Sequence, residues 1–459
     1  MRRLRFTNID PIKTEKTLTH FKRWRKERAR KLRDKDYTFV VPGVEPNLTY
    51  LDHNHREPSL TWIGHSTFLI QHSGLNIVTD PVWSGSMAMH KRLARPGIAL
   101  QDMPPIDIVL ISHSHYDHLS IASLRRLAGT KLLLVPMGLK TKLQLKGFFR
   151  IREFHWWESA TIRGVKFTFV PSQHWTRRTP WDMNRSHWGG WIIAPAGGKR
   201  EAAPLSPPPG ATVQERLRGA SADQETRDGE SYDAAEQGPV SAEAKPGDPC
   251  ASGAPGGHRT ATEPGEVPAR PDGTVPPAVR ALQAGETHAG PESGIDEQGA
   301  VTSDVSDAAT RPNASSEART PRTTNEAVTS SEAKASSEAQ RPFVCTAPTL
   351  YFAGDSGYFQ GFREIGRRHK IDVALMPIGA YEPEYFMSPQ HVTPEQALQA
   401  FLDTGATWFV PMHYGSFKLA DDTPREALDR LESGRRAHAI EETRVVILPH
   451  GETWRLSGE

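Results

Sequence analysis

The chain predicts a layered α/β fold: two strand-rich halves with interleaved helices, their strand ends gathered on one polar rim. Three observations predict it. Short apolar runs bounded by turn residues recur in both halves, helical patterns sit between them, and four of the runs end on a residue able to ligate a metal ion. Ile106 to Ser112 leads into His113-Ser114-His115-Tyr116-Asp117-His118. Phe167 to Gln173 leads into His174, Leu350 to Gly354 into Asp355, and Trp408 to Met412 into His413. Strand ends in one sheet layer open onto one edge, so residues as far apart as His113 and His413 can converge.

In chain order, the first half predicts strands at 61–63, 66–71, 75–79, 106–112, 131–135, 161–170 and 188–194, with helices near 120–128 and 137–147. The second half predicts strands at 349–354, 372–378, 407–412 and 443–448, with helices near 359–369, 394–403 and 424–433. Thr393 is a good N-cap, and Pro394 suits a first helical turn. No short-period repeat is visible.

The H-x-H-x-D-H run is the specific signal. A tight loop after a strand can point His113 and His115 at one ion while Asp117 and His118 reach toward another. With His174, Asp355 and His413 the inventory is five His and two Asp without a thiolate, which suits Zn²⁺ ahead of Mn²⁺ or Fe²⁺. Seven donors exceed one tetrahedral ion. They fit two ions sharing a carboxylate, for which Asp355 is the natural choice, and two ions bridged by hydroxide make a strong nucleophile. The alternative, a chance His-rich turn in a chain with 19 His, has to account for three further strand-end donors.

These segments resemble the metallo-β-lactamase superfamily, and within it the N-acylphosphatidylethanolamine-hydrolysing phospholipase D family. The resemblance is carried by Thr61-Trp62-Ile63-Gly64-His65-Ser66-Thr67, Thr79-Asp80-Pro81, Pro171-Ser172-Gln173-His174-Trp175, Phe352-Ala353-Gly354-Asp355-Ser356-Gly357-Tyr358, Gln390-His391-Val392 and His450-Gly451-Glu452. It implies an αβ/βα sandwich, here interrupted by a long disordered insertion. It also implies one Zn²⁺ on His113, His115 and His174, a second on Asp117, His118 and His413, and Asp355 between them: two Zn²⁺ per subunit. Ser356 stands where Thr is usual and Arg177 where Lys is usual. An Arg fork binds phosphate bidentately, which Lys does not.

The activity the resemblance implies is hydrolysis of N-acylphosphatidylethanolamine to N-acylethanolamine and phosphatidic acid by a metal-bridging hydroxide. Asp117 and Asp355 would serve catalysis through the metals. His391 is the first choice for general acid, against the reading of a loop histidine bonded to backbone. Tyr116, Arg177, Gln390 and His391 are the candidate substrate contacts, with a structural role equally open for Tyr116. Asp80 would steady a ligand imidazole, or merely form the turn before Pro81. His65 is expected to pack behind the site. The family also implies a homodimer with a membrane-facing groove; Tyr381, Tyr385, Phe386 and Met387 are among the apolar side chains able to line an acyl groove, with a place in the core as the other reading.

Composition divides the chain into a basic arm at 1–48, a first half-domain at 49–198, an insert at 199–343 and a second half-domain at 344–459. Between Lys199 and Pro342 the one aromatic is Tyr232, and 23 acidic residues face 14 Lys/Arg. Such a stretch buries too little apolar surface to offset chain entropy, so disorder is expected. Loop-closure cost grows only logarithmically with length, which makes a long insertion at a strand turn tolerable.

Residues 1–35 hold 14 Lys/Arg against 4 Asp/Glu. Within them Leu18, Phe21, Trp24, Ala29 and Leu32 recur at helical spacing, opposite Lys22, Arg23, Lys26, Arg30 and Arg33. A basic amphipathic helix with Trp and Phe reads as a peripheral binder of a phospholipid membrane surface. The other readings are a basic helix docked on the enzyme body and a mitochondrial presequence. No apolar stretch reaches 18 residues and two Cys make no disulfide framework, so an intracellular, cytoplasmic location with peripheral membrane contact is expected. The other functional readings are a hydrolase of a soluble phosphate ester or lactone, a nuclease, and a membrane-bound scaffold. The insert is acidic where such nucleases carry a basic exosite, so no nucleic-acid partner is expected.

Overall fold

Strand alternation sorts the apolar residues onto two faces, and this builds the layers. In the computed structural model, which describes residues 5–11, 18–87, 90–197, 205–206 and 347–456, a seven-stranded sheet runs in the order Thr453–Arg455, Ser59–Gly64, Thr67–His72, Leu75–Thr79, Ile108–Leu110, Leu132–Pro136, Ile151–Phe154. A six-stranded sheet runs Trp408–Met412, Val373–Pro377, Leu350–Phe352, Gly190–Pro195, Val165–Val170, Ser159–Ile162. Leu60, Trp62, Phe68, Ile70 and Ile77 of the first sheet share one core with Phe167, Phe169, Trp191 and Phe352 of the second. Their sequence neighbours Ile63, Leu69 and Val78 face the other way, onto Leu119, Leu124 and Leu143. Two-residue periodicity therefore covers both faces of the first sheet. Phe362, Leu398, Phe401, Leu428 and Leu431, from helices Gly361–Arg368, Pro394–Thr404 and Pro424–Ala437, pack into the core with the second sheet. The architecture is the αβ/βα sandwich of the metallo-β-lactamase fold.

Most predicted elements are present, with informative departures. The single strand predicted at 161–170 is a hairpin, Ser159–Ile162 paired with Val165–Val170. It turns on Arg163 (φ 47°) and Gly164 (φ 80°), the two left-handed residues of a tight two-residue connection. The strand predicted at 443–448 starts as a 3₁₀ turn, Glu442–Arg444, and makes one bridge, Phe409 to Val445. Val445 to Leu448 are buried apolar coil, which a continuous apolar run does not distinguish from a strand. The helix predicted at 137–147 shrinks to Lys140–Gln144, between Gly138 and the left-handed Gly147. Strands Ile151–Phe154 and Thr453–Arg455 and the short helices Leu48–His53 and Glu384–Met387 were not expected. Thr393 caps its helix through a full capping box with Gln396, and Thr423 does the same with Glu426.

The basic arm forms a helix, Leu18–Lys31, that docks on the body. Trp24 stacks on Phe386 with centroids 6.0 Å apart and donates to Asp421 at 3.1 Å, and Arg28 pairs with the same Asp421 at 2.8 Å. Lys22, Arg25 and Lys26 point to solvent, and Phe21 is 52% exposed. The side chains of Leu18 and Ala29, residues 1–4 that a presequence would include, and the expected disorder of the 199–343 insert lie outside the described residues. Within that insert Leu205 and Ser206 are described. Leu205 packs on the core and the Ser206 carbonyl accepts a bond from Trp454 at 2.8 Å.

Candidate metal centre

Four strand ends deliver the site. His113 and His118 follow strand Ile108–Leu110, His174 follows Val165–Val170, Asp355 follows Leu350–Phe352, and His413 follows Trp408–Met412. Three non-glycine residues here hold left-handed backbone: His65 (φ 56°), Asp80 (φ 32°) and His413 (φ 63°). Such backbone costs about 1–3 kcal/mol per residue and persists only where the surroundings over-determine it. Gly354 (φ 62°) precedes Asp355, and a Cβ there would lie 2.7 Å from that of Ser112. Only glycine lets the two strand ends approach this closely.

The donors fall into two groups. In the first, His115 Nδ1 lies 2.9 Å from His113 Nε2 and 3.2 Å from His174 Nε2. Burial, then neighbouring imidazoles, push His113 far below the ordinary histidine range, and burial pushes His115 down to about 4. Burial likewise depresses His174. Three neutral imidazoles aim nitrogens at one point, and a single proton cannot satisfy all three. A cation can.

In the second group, His118 Nε2 and His413 Nε2 lie 3.2 Å apart, with Asp117 Oδ2 at 3.4 and 3.6 Å from them. Burial opposes charge on these imidazoles, but Asp355 and Asp117 outweigh it, raising His413 to about 9 and His118 well above its usual value. Both carboxylates are held well below the usual carboxylate range: burial opposes this, and His118 leads the groups that overcome it. Without metal, the two carboxylates favour the protonated form of His413 and His118. Metal donors must be deprotonated, so an ion would take the protons' place.

Asp355 joins the two groups. Its Oδ1 lies 3.0 Å from His413 Nε2, and its Oδ2 lies 3.2 Å from His118, 3.8 Å from His174 and 3.9 Å from His113. The residues fit divalent ions by chemistry and by convergence: oxygen and imidazole donors, nearly all buried, facing one another.

The supporting layer is equally polar. Asp80 Oδ2 lies 2.7 Å from His118 Nδ1, and the same carboxylate takes the Ser112 N–H at 2.7 Å and hydroxyl at 2.5 Å. His174 Nδ1 lies 2.9 Å from the Gln390 carbonyl. Arg178 donates through one Nη to the carbonyls of Ser114 and Leu119, each at 2.8 Å, and so clamps the loop carrying His115 to His118. Ser112 and Arg178 escaped sequence reasoning because their partners are backbone groups or lie far away in the chain.

The remaining predicted residues separate. His391 is nearly buried, with Nδ1 3.8 Å from Asp355 Oδ2 and its ring 5.2 Å from that of His174. It stands among the donors, and its spacing would also allow it to ligate with His174 and Asp355. His65, expected to pack behind the site, reaches Asp117 Oδ2 at 3.1 Å and joins the second group. Arg177 is exposed over Trp175, whose ring lies 4.8 Å from that of His115. Tyr116 donates to the Arg178 carbonyl at 3.0 Å, beneath its guanidinium. Gln390 is buried and serves His174 through its backbone. Tyr381 is core, whereas Tyr385, Phe386 and Met387 form the short helix leading to His391.

A β-lactamase superfamily domain model matches residues 75–203 and 324–414. The chain is 33% identical over 161 residues to N-acyl-phosphatidylethanolamine-hydrolyzing phospholipase D 1 of Caenorhabditis elegans, covering 31% of this chain and 45% of that protein. It is 32% identical over 144 residues to the mitochondrial N-acyl-phosphatidylethanolamine-hydrolyzing phospholipase D of Saccharomyces cerevisiae, covering 29% and 31%. It is also 37% identical over 92 residues to a UPF0173 metal-dependent hydrolase of Geobacillus thermodenitrificans, covering 20% and 37%. The chain thus spans less than half the length of these relatives. Domain match, fold and converging donors agree: the chain carries a metallo-β-lactamase superfamily domain with the donor set of a metal-dependent hydrolase.

Proposed function

We propose that the protein is a dinuclear zinc phosphodiesterase of phospholipase D type, hydrolysing N-acylphosphatidylethanolamine to N-acylethanolamine and phosphatidic acid. The observation that carries this is Asp355, one carboxylate facing both donor groups. Similarity to two proteins named for this reaction supports the choice of substrate. His113, His115 and His174 would hold one ion, and Asp117, His118 and His413 the other. Bound there, zinc supplies charge neutralisation for a phosphodiester and acidifies a water to near neutral pH.

The chain's own residues do the rest. Asp80 and Gln390 orient the His118 and His174 rings through their outer nitrogens. His391 gives the departing alkoxide its proton from the ring beside Asp355. Arg177, exposed over the Trp175 ring, offers a guanidinium fork to the phosphate at the rim. No helix among the described residues is long and apolar enough to cross a membrane. Exposed Phe21, Lys22, Arg25 and Lys26 form a basic, partly apolar surface suited to the headgroup layer of an anionic bilayer.

The test is hydrolysis of N-acylphosphatidylethanolamine in mixed micelles by wild type and Asp355→Asn, with metal content measured on both. Product from wild type alone, with about two ions bound, is the expected result. A fully metallated wild type that releases no fatty-acid ethanolamide would overturn the substrate and leave a hydrolase of another ester.

A further inference from the structure

We infer that the N-terminal segment 5–11 is a working part of the metal centre, with Asn8 as the positioning residue for His174; this rests on the metal reading above. His174 sits past the end of its strand, fully buried, where its backbone N–H has no ladder partner. Asn8 supplies one. Its Oδ1 accepts the His174 N–H at 3.1 Å and the Trp188 indole N–H at 2.9 Å, 166 and 180 positions away in sequence.

The segment is anchored for that purpose. The Phe6 ring stacks on His187 at 4.4 Å with an interplanar angle of 13°, and the Phe6 N–H bonds the Asn184 carbonyl at 2.9 Å. Asn184 in turn fixes Thr176, accepting its N–H at 3.0 Å. Phe6 and Asn8 thus brace both flanks of the 174–188 loop. His174 is then held at three points: its strand, Asn8 at the backbone, and the Gln390 carbonyl at Nδ1. The helix that follows in the arm presses Trp24 on Phe386 and Arg23 over Tyr385, in the short helix that leads to Gln390. Both ends of the arm therefore bear on the residues that aim His174.

The test uses the full chain, stripped with a chelator and reloaded with Co²⁺, whose visible bands report donor geometry. Asn8→Leu is expected to lose affinity for one ion by about 10- to 100-fold, the range for outer partners of ligands, with a changed cobalt spectrum. Asn8→Asp, which keeps an acceptor oxygen for both N–H groups, should restore spectrum and affinity. Phe6→Ala, which frees the segment without touching a ligand, should weaken the same ion and carries the test if Asn8→Leu does not fold. A wild-type spectrum and affinity in Asn8→Leu or Phe6→Ala would overturn the inference alone. Failure of wild type to take up cobalt would overturn it together with the metal reading.

Discussion

Asp80 and His118 are joined by a 2.7 Å contact between Oδ2 and Nδ1, with neither side chain exposed to solvent. The carboxylate is itself held by the Ser112 N–H and hydroxyl, so the imidazole is aimed by a group that cannot move. Removing such a partner typically costs 10- to 100-fold in metal affinity. Asp80→Ala is expected to bind metal about that much more weakly, measured by chelator competition. Unchanged affinity would reduce Asp80 to a turn residue.

His391 can be tested as acid against ligand. As the general acid, His391→Ala should lower kcat by about 10²- to 10⁴-fold and leave metal content unchanged. Loss of an ion on the same substitution would reassign it to the donor set with His174 and Asp355.

Gly354→Ala should be disruptive despite its size. Its left-handed φ of 62° and a 2.7 Å approach to Ser112 Cβ leave no room for a methyl group. A loss of about 1–3 kcal/mol is expected from urea unfolding, comparable to other residues forced into such backbone.

The metal-free protein should be most stable near pH 6.5, the ordinary histidine value. His413 is raised to about 9 when folded, so its contribution is complete below about pH 6.5 and is lost as pH rises toward 9. Burial lowers His65 to about 3 and His115 to about 4; those contributions are complete above pH 6.5 and are lost as pH falls. Urea midpoints of chelated protein at pH 5, 6.5 and 9 give the comparison. With metal bound, the decline above pH 6.5 should vanish, because the ion stands where the protons were.

Arg178 spans two carbonyls of the ligand loop with two 2.8 Å bonds. Arg178→Ala leaves both unsatisfied, at about 1–3 kcal/mol each. Thermal unfolding should show that loss even in metal-free protein, which separates a clamp from a substrate contact.

The donor residues were legible in the sequence because each stands at the end of an apolar run, where the chain leaves a sheet and side chains face a common edge. His113, His115, Asp117, His118, His174, Asp355 and His413 all come together in the structure. What escaped was whatever depends on a partner distant in the chain. Asn8, Ser112 and Arg178 are ordinary polar residues, and only their location beside a ligand or its loop gives them a role. The hairpin within 159–170 escaped for a local reason: Arg163 adopts left-handed backbone that its type does not advertise.

Composition, strand periodicity and ligand spacing are properties of the chain itself, so the layered α/β class, the seven candidate metal donors and the division of charge between arm and insert follow from sequence alone. The docking of the arm on Asp421 and Phe386, the entry of His65 into the second donor group and the bond from His174 to Asn8 were decided by tertiary structure. The reason is physical: a buried N–H or imidazole must find a partner. Which residue answers depends on where the fold brings the chain, not on its neighbours in sequence.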